Sequence, residues 1–165
     1  MLVRYFARDC DIRVYDIHPR PREIRNLGAI PATLAEACSA EIVIPCVPIA
    51  VFEATVKNIR GLLRKNSVLI DVCSVKEHPV CVMRKWLPKT VSILATHPNF
   101  GPDSASKSLR GQKIVVCRVR IQTRRYRRIK STLERKGLEV IEMSPAEHDR
   151  KAASSLLLTH FIGRA

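Results

Sequence analysis

Three short runs limit the folds open to this chain more than any other feature: "SVLIDVC" (67–73), "VSILAT" (91–96) and "KIVVCRV" (113–119). They are apolar at nearly every position instead of every second one, so strands made from them must be covered on both faces. "DIRVYD" (11–16), "EIVIPC" (41–46) and "LEVIEM" (138–143) read as further strands. Amphipathic stretches lie between them: "TLAEACSA", "AVFEATVKNIRGLLRK", "KEHPVCVMRKWLP" and the basic segment "RVRIQTRRYRRIKSTLERKG". Strands alternating with helices predict a mostly parallel sheet with helices on both sides, a doubly wound α/β domain. With 165 residues, 46% of them hydrophobic, the chain can bury one real core. No internal repeat and no low-complexity linker divides it.

Composition removes several function classes. The longest apolar run, Ile42 to Phe52, is broken by Pro45 and Pro48 and falls short of the roughly 20 residues a membrane span needs. No membrane partner is expected. The opening "MLVRYFARDC" is too short and too charged for a signal peptide, which implies a cytoplasmic location. Six scattered cysteines without a C-x-x-C pair point to free thiols in a reducing compartment and to no metal site. The formal net charge of +14 favours an anionic partner. Much of it sits in one segment where Tyr126, Ile129 and Leu133 form an apolar stripe, with Arg124, Arg125, Arg127, Arg128 and Lys130 largely off it. That pattern is first a solvated basic face. Nucleic acid is not the expected partner, because no aromatic platform or zinc-finger spacing accompanies the charge. The field can instead steer small anionic substrates inward.

Ligands of open α/β sheets bind beyond the carboxyl ends of the strands, and four places there carry polar chemistry. Asp16 ends "DIRVYD", where an acidic residue of a dinucleotide-binding domain bonds the adenosine ribose; it reads equally well as an ordinary turn aspartate. Pro45-Cys46-Val47-Pro48 follows the next strand as a stiff turn across the crevice. Ser74 follows "LIDVC" and is either a helix N-cap or a hydroxyl for substrate or imidazole, with Lys76 and Glu77 opening the next helix. His97 lies in "ATHPNFGP", where Pro98 holds it extended and Gly101-Pro102 turns the chain. A rigidly presented histidine at a strand end is a general-base candidate.

Taken in order, the acidic-ended strand, "DVCSVKE", "THPNFGP" and "EMSPAEHDRKAASSLLLTHFIGR" resemble the prephenate/arogenate dehydrogenases, most closely the plant-type arogenate dehydrogenases. The resemblance spans nearly the whole chain. Asn99 stands where that pattern has methionine, and Leu156 where it has glutamine. The resemblance implies a Rossmann-like fold and NAD(P)-dependent oxidative decarboxylation of arogenate or prephenate in tyrosine biosynthesis. By resemblance His97 is the base for the ring hydroxyl and Ser74 orients it, while Thr159, His160 and Lys76 serve the substrate. Asp16, Cys46, Val47, Pro48 and Ser74 would meet the cofactor. A carboxylate at Asp16 repels a 2′-phosphate and favours NAD, although Arg20 and Arg22 can accommodate NADP. His148 is expected to support the site from its helix, and His18 and His78 to lie on the surface.

The family's first strand and Gly-rich loop have no counterpart in these residues, nor does most of its helical dimerisation domain. The expected division is a dinucleotide-binding domain over 1–145 and the first helix of a helical domain over 146–165. The missing strand belongs between "DIRVYD" and "EIVIPC", which must then pair directly or leave backbone groups unmatched. The chain therefore reads as a fragment or shortened product, with weak cofactor binding and little turnover alone. A homodimer is expected of a full-length parent, and a plastid location if that parent is plant-type. The rival readings are another dehydrogenase of the same fold, or a non-catalytic basic binding module.

Overall fold

The computed structural model describes residues 2–162, with side chains through Ser154. The chain opens with α1 (Leu2–Phe6), β1 (Arg13–Val14), α2 (Pro21–Asn26), β2 (Ile30–Pro31) and α3 (Leu34–Cys38). The central part is β3 (Ile42–Val43), α4 (Ile49–Ile59), β4 (Val68–Asp71), α5 (Glu77–Trp86) and β5 (Ser92–Pro98). It closes with β6 (Lys113–Arg120), α6 (Thr123–Arg135), β7 (Glu139–Glu142) and α7 (Pro145–Ile162).

The strands fall into a five-stranded sheet of order β3-β4-β5-β6-β7 and a separate parallel pair, β1-β2. All ladders are parallel except β5–β6, which is antiparallel, so the sheet is mostly parallel as expected. The three runs that promised burial on both faces deliver it. Leu69, Ile93, Ala95, Val115 and Cys117 face a core closed by Phe52, Val56 and Ile59 of α4 and by Val80 and Met83 of α5. Val68, Ile70, Leu94, Ile114 and Val116 point the other way and pack with Leu109, Tyr126 and Leu138. Period-2 geometry sends successive side chains to opposite faces, so an unbroken apolar run is what two covered faces require.

The break in the sheet falls where the sequence places the missing strand. Among the described residues no ladder joins β1 to β3. Of the two outcomes expected there, direct pairing does not occur, and among the described residues β1 pairs only with β2 and β3 only with β4. With no neighbour on that side, the run 11–16 keeps only two strand residues and 41–46 keeps two. Ile42 and Ile44 are exposed. Two elements escape the periodicity reading, α2 and β2. Pro21 at the first turn of α2 and the positive φ of Gly28 (81°) are their local signals.

The basic helix α6 buries Tyr126, with Ile129 and Leu133 against the same core, so the apolar stripe read from its sequence faces inward. Arg124, Arg127 and Arg128 are exposed. Arg118 lies over the Tyr126 ring at 4.5 Å, and Lys130 pairs with Glu142 at 2.7 Å. No helix among the described residues is long and apolar enough to cross a membrane.

Candidate functional site

The carboxyl ends of β4 and β5 are adjacent because Asp71 sits opposite Ala95 in a parallel ladder. The chain beyond Asp71 carries Ser74 and Lys76, and the chain beyond Ala95 carries Thr96 and His97. Thr96 Oγ1 donates to the Asp71 carbonyl at 2.6 Å, tying the two ends together. Asp71 is fully buried; its Oδ1 accepts from the Cys73 N–H at 3.0 Å and from the Lys76 ammonium. Lys76 Nζ also donates to the Thr96 carbonyl. Burial pushes the Asp71 carboxyl up, and the Lys76 charge partly offsets that.

This corrects the expectation for Lys76. Its side chain has 0% exposure, and its ammonium is committed to Asp71 and Thr96, so it braces the strand ends instead of reaching a substrate. An ammonium this deeply enclosed persists only with a paired charge and satisfied donors.

His97 lies inside β5, opposite Val115 of β6, with a half-buried ring. Pro98 is the last residue of the strand, past the end of the β4 ladder, where its missing N–H costs no pairing on that side. The ring meets α7. Ser144 caps that helix by accepting from the Glu147 N–H at 3.2 Å, and Pro145 is its first residue. The first turn of α7 thereby brings His148 and Asp149 to the site. His148 Nε2 lies 2.9 Å from His97 Nδ1, with the rings edge-on, and His148 Nδ1 lies 2.7 Å from Asp149 Oδ1. Asp149 also accepts the backbone N–H groups of Lys76 at 2.7 Å and Glu77 at 2.9 Å, which anchors α7 to the start of α5.

Electrostatics follow from this packing. Burial, then the neighbouring His148 and the Lys76 ammonium, lower the His97 pKa from 6.5 to about 4, with Asp149 opposing. The ring is therefore neutral at neutral pH and able to accept a proton. Partial burial works against a charge on Asp149, yet the Glu77 N–H, the His148 ring and the Lys76 N–H hold its carboxyl below the ordinary value. Burial pushes the Cys73 and Cys117 thiols up to about 11, so neither is a nucleophile at neutral pH.

The remaining expected residues separate into groups. Ser74 is exposed just past the β4 end and is not the cap of α5, whose N-cap position is Lys76 and whose first amides bond Asp149. Cys46 and Pro48 are exposed after β3, and Val47 packs partly against the core. Asp16 is exposed beyond β1, and its Oδ1 accepts the His18 N–H at 2.8 Å, which is the turn geometry held open as its second reading. Thr159 and His160 fall on α7, but their side chains lie outside the described residues, as does that of Leu156. His18 and His78 are exposed. The residues that sequence reading missed are Asp71, Thr96 and Asp149; the last is the "D" of "EHD", and its importance appears only when α7 meets α5. Among the described residues no cluster of three or more His, Cys, Asp or Glu could hold a metal ion.

An acidic residue follows β1, a proline-bounded turn follows β3 and an exposed hydroxyl follows β4.

The chain is similar to several known proteins. The chain is 40% identical over 132 residues to arogenate dehydrogenase 1, chloroplastic, of Arabidopsis thaliana, a match covering 75% of this chain and 21% of that protein. It is 36% identical over 130 residues to arogenate dehydrogenase 2, chloroplastic, of the same plant, covering 75% and 36%. The chain thus spans about a fifth to a third of the length of these relatives. The fold is shared with the crystal structure of Aquifex aeolicus prephenate dehydrogenase in complex with hydroxyphenyl propionate and NAD+, at a TM-score of 0.70 and 24% identity, covering 89% of this chain and 56% of that one. The profile described as "Prephenate dehydrogenase, nucleotide-binding domain" matches residues 4–142, which takes in every strand from β1 to β7 and the Ser74 and His97 strand ends, and on that match the chain belongs to this family of nucleotide-binding domains.

Proposed function

We propose that the chain provides the cofactor-facing and proton-accepting part of an NAD(P)-dependent dehydrogenase that converts arogenate or prephenate by oxidative decarboxylation. The observation that carries this reading is His97: a neutral imidazole at the end of β5, backed by His148 and one strand end away from Ser74. A base for a ring hydroxyl must be unprotonated and fixed in place, and this ring is both. Ser74 is proposed to orient the hydroxyl. Asp16, Cys46, Val47, Pro48 and Ser74 are proposed to hold the cofactor, whose nicotinamide supplies a hydride acceptor when bound. Lys76 acts by keeping the β4 and β5 ends in register.

NAD is the proposed cofactor. Asp16 presents an exposed carboxylate, which repels a 2′-phosphate. Thr159 and His160 are proposed to line the substrate pocket from α7, as the start of a helical domain that pairs two copies. The cytoplasm, or a plastid, is the proposed location.

Titration of the chain with NAD+ and NADP+, followed by backbone amide shifts, tests the cofactor half. Shifts are expected at Val47 and Ser74, larger for NAD+. No shift at either position at millimolar nucleotide would sink the assignment. Wherever the chain shows turnover, alone or joined to further sequence, His97→Asn is expected to lower kcat by ~10²–10⁴-fold while nucleotide affinity stays within about threefold.

A further inference from the structure

We propose that His97 does not retain the proton it takes from substrate but passes it to His148, with Asp149 as counter-ion, so that the three side chains form a reversible proton store. This rests on the reading of His97 as the base in the dehydrogenase reaction.

The hydrogen-bond chain sets the direction. A carboxylate only accepts, so the 2.7 Å contact with Asp149 Oδ1 places a proton on His148 Nδ1. A neutral His148 then has its lone pair on Nε2, and the 2.9 Å contact requires His97 to donate from Nδ1. The lone pair of His97 is left on Nε2, which has no hydrogen-bond partner among the described residues. His97 is thus held as the Nδ1–H tautomer, able to accept at one nitrogen while donating from the other.

The step balances. The substrate O–H bond breaks as the His97 Nε2–H bond forms; the His97 Nδ1–H bond breaks as the His148 Nε2–H bond forms. The carbon bearing that oxygen gives up hydride to the oxidised nicotinamide and becomes a carbonyl. When the ring carboxylate leaves as CO2, its bonding pair aromatises the ring and returns charge to the oxygen as phenolate. The stored proton then runs back through both rings to that oxygen. No net proton is released, and the relay is reset.

Charge placement decides where the proton rests. The groups acting on His97 are His148 and Asp149 from α7 and Lys76 from the head of α5, and Asp71 at the end of β4 already neutralises Lys76. Cys73 and Cys117 are neutral thiols. A cation on His97 has the Lys76 charge nearby and no carboxylate in contact, whereas a cation on His148 touches Asp149 directly. His148 and Asp149 are in this scheme a proton acceptor and its positioning partner, rather than packing for the base.

Ring-nitrogen NMR of the ¹⁵N-labelled full chain at neutral pH tests the relay without turnover. Both His97 and His148 are expected as Nδ1–H tautomers, with a scalar coupling across the hydrogen bond from His97 Nδ1 to His148 Nε2. His148→Phe is expected to return His97 to the Nε2–H tautomer, and Asp149→Asn to weaken or abolish the coupling. An Nε2–H His97 in the unmodified chain, or a tautomer untouched by His148→Phe, overturns the relay. Should His148→Phe fail to fold, the coupling in the unmodified chain decides alone. Lost coupling with normal nucleotide shifts at Val47 and Ser74 overturns the relay but leaves the dehydrogenase reading. Intact coupling with no nucleotide shift overturns that reading, and the store then has no substrate to serve.

Discussion

At the scale of single residues, two buried charges make opposite demands. Lys76 and Asp71 form an ion pair with no exposure on either side chain, and Asp71 Oδ2 has no hydrogen-bond partner. Removing one member leaves the other charged and enclosed, so Lys76→Met is expected to cost about 3–5 kcal/mol in urea denaturation. The double variant with Asp71→Asn should recover much of that loss, since no bare charge remains. His97 works through pH. Its folded-state pKa of about 4 lies below the ordinary 6.5, so the unfolded chain binds more protons between those values. Its contribution is fully present above pH 6.5 and lost as pH falls through about 4. For a half-buried ring partly screened by solvent, the loss is about 1–2 kcal/mol. Denaturation curves from pH 7 to 4 should show that slope, and His97→Asn should flatten it.

At the scale of elements, the junction from α6 to β7 has the least room for a side chain among the described glycines. Gly137 has φ 87°, and a Cβ there would lie 2.9 Å from Arg110 Cα. Its carbonyl also accepts the Gly111 N–H at 2.9 Å, so the turn cannot move away freely. Gly137→Ala is expected to cost about 1–3 kcal/mol, measured as a fall in thermal midpoint. Gly61→Ala is the control: its Cβ meets nothing within 4 Å and its φ is not left-handed, so a change of under about 0.5 kcal/mol is expected. The helices themselves were largely legible from sequence, because amphipathic spacing in "AVFEATVKNIRGLLRK" or "TRRYRRIKSTLERK" survives folding. Strand lengths were not. β1 and β3 are two residues each, because a strand's extent depends on what pairs with it, and each pairs on one side only among the described residues.

At the scale of the molecule, stability is divided unevenly along the sheet. β4, β5 and β6 carry both cores, whereas β1 and β2 pair over two residues each and are largely exposed. A two-stranded pair of that length is marginal in water. Hydrogen exchange should therefore be at least about tenfold faster at Ile30 and Ala32, whose amides bond Ile12 and Val14, than at the β5–β6 ladder. Uniform protection would overturn that division. Much of this was legible before the structure, including the doubly covered sheet, the place of its break and the strand-end position of His97. The covered sheet and the position of His97 rest on period-2 and period-3.6 patterning and on the stiffness of proline, local properties carried by consecutive residues, whereas the place of the break followed from the family resemblance. What the sequence left undecided was which polar residues meet. Lys76 reads as a ligand for substrate, yet the β4–β5 register turns it inward to Asp71. His148 and Asp149 read as helix residues until the packing of α7 on α5 sets them behind a histidine 51 positions earlier. Tertiary structure alone decided these contacts, because they depend on how distant elements pack, and no local pattern encodes that distance.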